Sequence, residues 1–170
     1  NEIQDAKERA EQSRYFQLEY NPAASIIDMQ RSLQKFKPEI FHFCGHGGGQ
    51  AGLFLESEVS QQERISTQGL ANLFRFFRKK YPGCLECVLL NACYTSVQAE
   101  EIAKYIPTVI GMPQTIYDRA AREFSISFYD QLFSGSSIEE AFELGRITME
   151  AYGVPDDELP QLVQFSGNHN

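Results

Sequence analysis

Three strand-length apolar runs, separated by amphipathic helical patterns, constrain the fold of this 170-residue chain more than any other feature. They read EIFHFC at residues 39–44, CVLLN at 87–91 and TVIGM at 108–112. Apolar strands that alternate with amphipathic helices are typical of a mainly parallel sheet, because the crossover helices cover both of its faces. We therefore expect an α/β fold with a mainly parallel sheet flanked by helices on both faces.

The remaining elements follow from periodicity and turn residues. Helices are predicted at 1–14, 25–36, from a cap at Thr67 to Pro82-Gly83, at about 96–105, at about 118–133, and from a capping box of Ser137 and Glu140 to Gly153. A short strand is predicted at 15–20, a strand or hairpin arm at 51–56, a surface loop at 57–63 and a last strand at 162–165.

The start of the chain differs from that of a complete doubly wound sheet. Such a sheet usually begins with a strand, whereas this chain opens on Asn1 and a charged, helix-like segment. We expect the first strand to lie upstream or to have been removed, so that the chain is a fragment of a longer protein. Its length suits one domain, and residues 1–170 are assigned to a single domain.

The net charge of −8 argues against nucleic acid as a partner, because phosphate binding needs clustered Lys and Arg. The one basic cluster, at 75–80, fits the solvated side and C-terminal end of a predicted helix. No apolar run approaches the roughly 18 residues of a membrane span, and no signal-peptide pattern is present. These features predict a soluble, cytoplasmic protein without a membrane partner.

Four cysteines in such a chain are expected to be thiols rather than disulfides. Cys84 and Cys87 form a C-x-x-C motif, but the pair precedes a strand instead of opening a helix. No second pair of Cys or His completes a tetrahedral zinc site. We interpret them as a loop cysteine and a core cysteine, and we expect neither a metal nor another cofactor.

Two of the apolar strands end in chemically reactive residues. His46 follows the strand at 39–44, and Cys93 follows the strand at 87–91. If the strands are neighbours, their ends lie about 4.8 Å apart at one sheet edge, where functional groups collect in open parallel sheets. A nearby imidazole favours the thiolate, which is the nucleophilic form of cysteine. The glycine turn at 47–49 admits a close-lying carbonyl, and the amides of Gly47 and Cys93 are the predicted oxyanion hole.

The stretches HFCGHG and LLNACYT, together with the segment from TVIGMPQTIYDRAAREFSISFYDQ to SSIEEAFELG, resemble the CHAT family. This family is grouped with separases, gingipains and metacaspases as caspase-like cysteine peptidases. His46 and Cys93 fall on the family's catalytic pair, and their separation of 47 residues is close to the roughly 50 of caspases. The resemblance implies a cysteine endopeptidase that acts on a protein substrate. It also implies control by attached domains or by an activating partner protein, and in several members a role in bacterial defence.

The resemblance also indicates a substrate pocket. Asn91 occupies the place where metacaspase-like sequences carry a pocket Asp, and an amide there cannot supply the charge that selects Arg or Lys. Asp118 resembles an Asp that selects basic residues in separases, but it also suits a helix N-cap, which is the preferred interpretation. His42 is interpreted as a hydrogen-bonded core histidine.

Other functional classes fit less well. The glycines after His46 resemble the oxyanion loop of lipases, but the G-x-S-x-G nucleophile motif is absent, as is the Lys-containing phosphate loop. A catalytically silent scaffold or interaction domain of the same fold stays open as an alternative, as does a peptidase that is silent until a partner binds.

Overall fold

The computed structural model describes residues 2–10, 15–21, 25–55 and 63–165. Its helices in these ranges are α1 (Glu2–Arg9), α2 (Ile26–Phe36), α3 (Thr67–Lys80), α4 (Ser96–Ile102), α5 (Asp118–Phe133) and α6 (Ile138–Ala151). Its strands are β1 (Ile40–Cys44), β2 (His46–Gly47), β3 (Leu53–Leu55), β4 (Glu63–Ile65), β5 (Cys87–Asn91), β6 (Thr108–Gly111) and β7 (Gln161–Gln164).

The chain divides into two compact units. The first consists of residues 1–20 and 116–159, and the second of residues 21–115 and 160–170. The assignment of residues 1–170 to one domain stays a prediction.

A mainly parallel sheet forms the centre of the second unit. Its strand order is β1-β5-β6-β7, in which β1, β5 and β6 are parallel and β7 runs antiparallel to β6. In β5 the side chains of Val88 and Leu90 belong to the core, and Cys87 and Leu89 of the opposite face are equally buried. Burial on both faces explains the uninterrupted apolar sequence of this strand. The predicted α/β fold with a mainly parallel sheet flanked by helices is confirmed.

Helices α2, α3 and α4 supply the core of the second unit together with the sheet. Phe74 of α3 is fully buried, and its ring packs against Phe41 of β1 with 5.1 Å between centroids. Met29 and Leu33 of α2 and Ile102 of α4 belong to the same cluster. The apolar stripes of these helices thus face the strands whose carboxyl ends carry the candidate residues.

Local side-chain chemistry fixes where the helices begin. The predicted capping box of α6 is present: Ser137 Oγ accepts from the Glu140 N–H at 3.2 Å, and the Glu140 carboxylate accepts from the Ser137 N–H at 2.8 Å. For α3 the predicted cap is wrong by one residue, because Ser66 and not Thr67 accepts the Gly69 N–H at 3.1 Å.

The first unit contains α1, α5 and α6. Gly145 of α6 faces the Phe124 ring of α5, where a Cβ would lie 2.7 Å from ring atoms. Two ion pairs join α1 to α5: Arg122 with Glu2 and Arg9 with Asp130, both at 3.1 Å. Close helix packing, rather than these exposed charges, supplies most of the stability here.

Several sequence predictions differ from the structure. The predicted strand at 15–20 is wrong, because these residues are irregular and the Phe16 ring packs edge-on against Phe133, 5.0 Å away between centroids. The helix predicted to Gly153 ends at Ala151, and the one predicted at 96–105 ends at Ile102. The last strand is confirmed one residue earlier than predicted. The predicted loop at 57–63 lies largely outside the described residues.

Candidate active site

The carboxyl ends of β1 and β5 lie side by side. The two strands pair in parallel, and their register ends with Cys44 opposite Asn91. His46 follows Cys44 by two residues, and Cys93 follows Asn91 by two residues. The predicted adjacency of the two strands is therefore confirmed, and both candidate residues leave the sheet at the same edge.

His46 lies in a strand that the sequence analysis missed. His46 and Gly47 form β2, which pairs antiparallel with β3 and places His46 opposite Phe54. Together with β4 these strands make a second, three-stranded sheet. His46 is exposed. The imidazole-bearing residue is thus held by a backbone ladder rather than by a free loop.

The turn that carries Cys93 has an unusual backbone conformation. Cys93 is partly buried, and the following residue, Tyr94, has a φ of 55°. Left-handed conformations are uncommon for residues other than glycine and are found preferentially at functional sites. The Tyr94 N–H donates to the Gln114 carbonyl at 3.2 Å, so a contact outside the turn helps to hold this conformation.

Thr95 fixes the same turn from inside. Its buried hydroxyl shares its single proton between the carbonyls of Leu90 and Ala92, at 3.1 and 3.0 Å, and accepts from the Met112 N–H at 2.9 Å. The Thr95 N–H donates to the Met112 carbonyl at 2.8 Å. These bonds connect the end of β5 to the residue after β6. Thr95 therefore holds the Cys93 turn in place.

The backbones of the two candidate segments touch at Gly47. A Cβ built on Gly47 would lie 1.7 Å from the Cys93 carbonyl oxygen and 3.2 Å from Cγ2 of Thr95. Such a distance is far inside van der Waals contact, so only glycine fits at this position. The residue next to His46 is thereby in direct backbone contact with Cys93.

His42 is a partly buried histidine on β1. Its Nε2 lies 3.1 Å from the Cys44 thiol, and burial lowers the pKa of His42 to about 4. The imidazole is therefore neutral near pH 7 and contributes no positive charge to the sheet edge. Cys44 is exposed as a residue, yet desolvation by the protein atoms around its thiol raises the pKa of Cys44. The hydrogen-bonded histidine predicted from the sequence agrees with this contact.

The two predicted pocket residues lie in different units. Asn91 ends β5 and is partly buried, in the same unit as His46 and Cys93. Asp118 is the first residue of α5 in the other unit. The preferred N-cap interpretation of Asp118 is wrong, because Tyr117 occupies the cap position and no side chain there accepts a hydrogen bond. As a first-turn carboxylate, Asp118 still interacts favourably with the helix dipole.

Thr95 and Tyr94 are site residues that sequence reasoning missed. A Thr between a strand and a helix predicts an N-cap, and Thr95 does occupy the cap position of α4, but its hydroxyl makes no capping bond. A left-handed conformation at Tyr94 leaves no signature in the sequence, since glycine or asparagine would be expected there. The polar pattern "CYTS" was the only available signal.

Two buried cysteines and a surface cavity of the second unit lie outside this site. Cys84 and Cys87 are buried and form no disulfide; Cys84 lies in the turn before β5 and Cys87 is its first residue, which fits their interpretation as a loop cysteine and a core cysteine. A cavity of about 450 Å³ between α2, β4 and α3 is lined by residues such as Ile26, Arg64 and Asn72, and includes neither candidate residue. In the part of the chain that the structure describes, no helix is long and apolar enough to cross a membrane.

Comparison with known proteins gives one family and several relatives. The family model of the CHAT domain matches residues 1–152. A Roc-COR-CHAT protease from an unknown prokaryotic organism is 21% identical over 146 residues, which cover 81% of this chain and 14% of the relative. A probable protease from Gillisia limnaea is 26% identical over 128 residues, which cover 75% of this chain and 22% of the relative. The chain thus spans less than a quarter of the length of either curated relative.

A solved structure has the same fold. A secreted C11 cysteine protease from Bacteroides thetaiotaomicron, crystallised with an irreversible peptide inhibitor, superposes with a TM-score of 0.53 at 16% identity. The match covers 75% of this chain and 39% of that protein. The described chain accordingly has the α/β fold of a caspase-like cysteine protease.

Proposed function

The chain belongs to the CHAT domain family, and from this premise we propose that it is a cysteine endopeptidase. Cys93 is the proposed nucleophile and His46 its general base, and the substrate is a protein. The observation that carries the proposal is the backbone contact between Gly47 and Cys93, because it joins the segment of the imidazole to that of the thiol.

The proposed reaction has two stages. His46 takes the proton of the Cys93 thiol, and the thiolate attacks the carbonyl carbon of the scissile peptide bond. His46 then gives that proton to the leaving amine as the C–N bond breaks, which leaves a thioester on Cys93. Water, deprotonated by His46, attacks the thioester, and the C–S bond breaks. The Cys93 thiolate takes the proton back from His46, and the carboxylic acid product loses its own proton to solvent.

The amides of Gly47 and Cys93 are the proposed oxyanion hole. Each tetrahedral intermediate carries a negative oxygen, and one backbone donor aimed at it is worth roughly 3 kcal/mol in measured cases. The contact at Gly47 supports this assignment, because a side chain there would push the two backbones apart. The left-handed residue that follows Cys93 supports it as well, since non-glycine residues in such conformations cluster at active sites.

Asn91 is the proposed wall of the pocket that receives the substrate residue before the cut. It precedes Cys93 by two residues and pairs in register with Cys44, so that two uncharged side chains stand at this edge. Because no carboxylate is present there, we expect the protein to prefer an uncharged residue, rather than Arg or Lys, immediately before the scissile bond. The assignment of Asp118 to the same pocket stays a prediction.

Attached domains or a partner protein are proposed to control the activity. The Roc-COR-CHAT protease to which the chain is similar is much longer than this chain, which supports a multidomain setting. A role in bacterial defence stays a prediction from the family resemblance.

The proposed function is tested by incubation with a diverse peptide library, with and without candidate partner proteins. Wild type should release new peptide termini that Cys93→Ala does not produce. Identical product sets from the two proteins under every condition would favour a catalytically silent scaffold of the same fold.

A further inference from the structure

Gln98 is a fully buried polar residue of α4, the helix that follows Cys93. Its Nε2 donates to the Gly49 carbonyl at 2.6 Å and to the Thr67 hydroxyl at 2.8 Å. Gly49 lies in the turn after His46, and Thr67 is the first residue of α3. One side-chain amide therefore joins three chain segments, two of which carry the proposed dyad.

The orientation of this amide follows from the chemistry of its neighbours. A backbone carbonyl can only accept a hydrogen bond, so the nitrogen of Gln98 must face Gly49. The Oε1 atom of Gln98 is buried and has no hydrogen-bond partner among the residues that the structure describes. A buried oxygen without a partner costs free energy. Only the two bonds of the nitrogen offset this cost, and these are the bonds that join α4 to the other two segments.

The Gly49 turn is closed by its own backbone bonds. The Gly48 N–H donates to the Gly52 carbonyl at 2.9 Å, and the Gly52 N–H donates to the Gly49 carbonyl at 3.1 Å. These bonds give the turn its shape but do not attach it to α4. The bond from Gln98 makes that attachment, and it reaches the carbonyl of Gly49, two residues beyond Gly47.

We propose that Gln98 is a positioning residue that holds the segment from His46 to Gly49 against the turn of Cys93. The catalytic consequence rests on the function proposed above, whereas the attachment itself does not. Because a misplacement of reacting groups by about 1 Å can lower a rate about 100-fold, a bond that fixes one segment to the other controls the reactivity of Cys93. The Thr67 hydroxyl accepts a hydrogen bond from the same side-chain amide, so that Gln98 also attaches α3.

The test uses Gln98→Met, which keeps the length of the side chain and removes both donors. Ile102→Val is the matched control, because Ile102 is also fully buried in α4 but contributes only apolar contacts to the core. Hydrogen exchange of residues 46–52 should accelerate about ten-fold in Gln98→Met and stay within about two-fold of wild type in Ile102→Val. Alkylation of Cys93 by iodoacetamide at pH 6.5, followed on its own peptide, should slow about ten-fold only in Gln98→Met.

Unchanged exchange of residues 46–52 in Gln98→Met would overturn the proposal, as would an equal acceleration in Ile102→Val. If Gln98→Met does not fold, Gln98→Asn keeps the amide but shortens the side chain so that its nitrogen no longer reaches the Gly49 carbonyl, and about three-fold faster exchange of the same segment is expected. Unchanged exchange in Gln98→Asn would also overturn the proposal. His46→Ala separates the two proposals: if it leaves alkylation of Cys93 unaltered, the dyad fails, while the exchange data still decide the role of Gln98.

Discussion

The α-carbon of Gly47 lies so close to Cys93 that a Cβ at residue 47 would come within 1.7 Å of the Cys93 carbonyl oxygen. Two segments that are far apart in sequence meet there without an intervening side chain. The parallel pairing of β1 with β5 brings the segments to one edge, and the glycine lets their backbones touch. The chemistry proposed for His46 and Cys93 depends on this contact.

Gly47→Ala should therefore separate the two segments. The added methyl group meets a backbone oxygen that cannot rotate away, so we expect a loss of about 1–3 kcal/mol in the free energy of unfolding. Labelling of Cys93 by a peptidyl electrophile should fall about ten-fold or more. Gln50→Ala is the control, because Gln50 is an exposed residue of the same segment and the substitution adds no atoms. Wild-type labelling by Gly47→Ala would contradict the contact.

Thr95→Val should destabilise the turn of Cys93. The substitution keeps the shape of the side chain but leaves the Met112 N–H without the hydroxyl that it contacts at 2.9 Å. Loss of a buried partner costs about 1–3 kcal/mol, which denaturant unfolding would measure. Thr108→Val makes the same chemical change on β6, where a β-branched apolar residue suits a buried strand, and should cost less. Equal losses for the two variants would argue against a special role of Thr95.

His42 makes stability depend on pH in a defined direction. Its pKa is lowered by burial from 6.5 to about 4, so the unfolded chain binds its proton more tightly than the folded chain does. The contribution of the neutral, buried His42 to the free energy of unfolding is therefore fully present above pH 6.5, and it is lost as the pH falls from 6.5 toward 4. By linkage the free energy of unfolding should drop by at most about 2 kcal/mol between pH 7 and pH 5. His42→Gln should flatten this slope, and an unaltered slope would show that His42 is not the responsible group.

Gly145→Ala tests the packing of the first unit. The new Cβ would lie 2.7 Å from the Phe124 ring, which is fully buried and stacks on Phe128. Because the ring has little room to move, overpacking should outweigh the better helix propensity of alanine and cost about 1–3 kcal/mol. Thermal unfolding of this variant beside Glu143→Ala, an exposed neighbour on α6, measures the difference. A variant as stable as Glu143→Ala would refute the tight contact.

Local signals were sufficient for the long elements. β5 and α5 have the predicted bounds, because a continuous apolar run and a long amphipathic pattern each favour one structure whatever the partners. The short strands β2 and β4 were missed, since two or three residues carry no periodicity and are recognised as strands only by their pairing with β3. The strand predicted at 15–20 failed for the related reason that an apolar residue there packs on a helix.

The sequence predicted the two strand ends that form the candidate site, but not the hydrogen bonds that hold them together. His46 and Cys93 could be placed at one sheet edge because parallel strands align their carboxyl ends. The hydrogen bonds of Thr95 and Gln98 reach residues that are distant in the chain, Met112 and Gly49. The residue types Thr and Gln do not indicate which distant residue they will bind. Hydrogen bonds of this kind follow from the tertiary structure, so sequence patterns alone do not predict them.

The most direct measurement is the rate at which a peptidyl electrophile labels Cys93 in wild type and in His46→Ala, with Cys93→Ser as the blank. If His46 is the general base, its removal should slow labelling about 100-fold or more, while thermal unfolding stays near that of wild type. Equal labelling rates in wild type and His46→Ala would mean that Cys93 is only an exposed thiol, and the proposed dyad would be wrong.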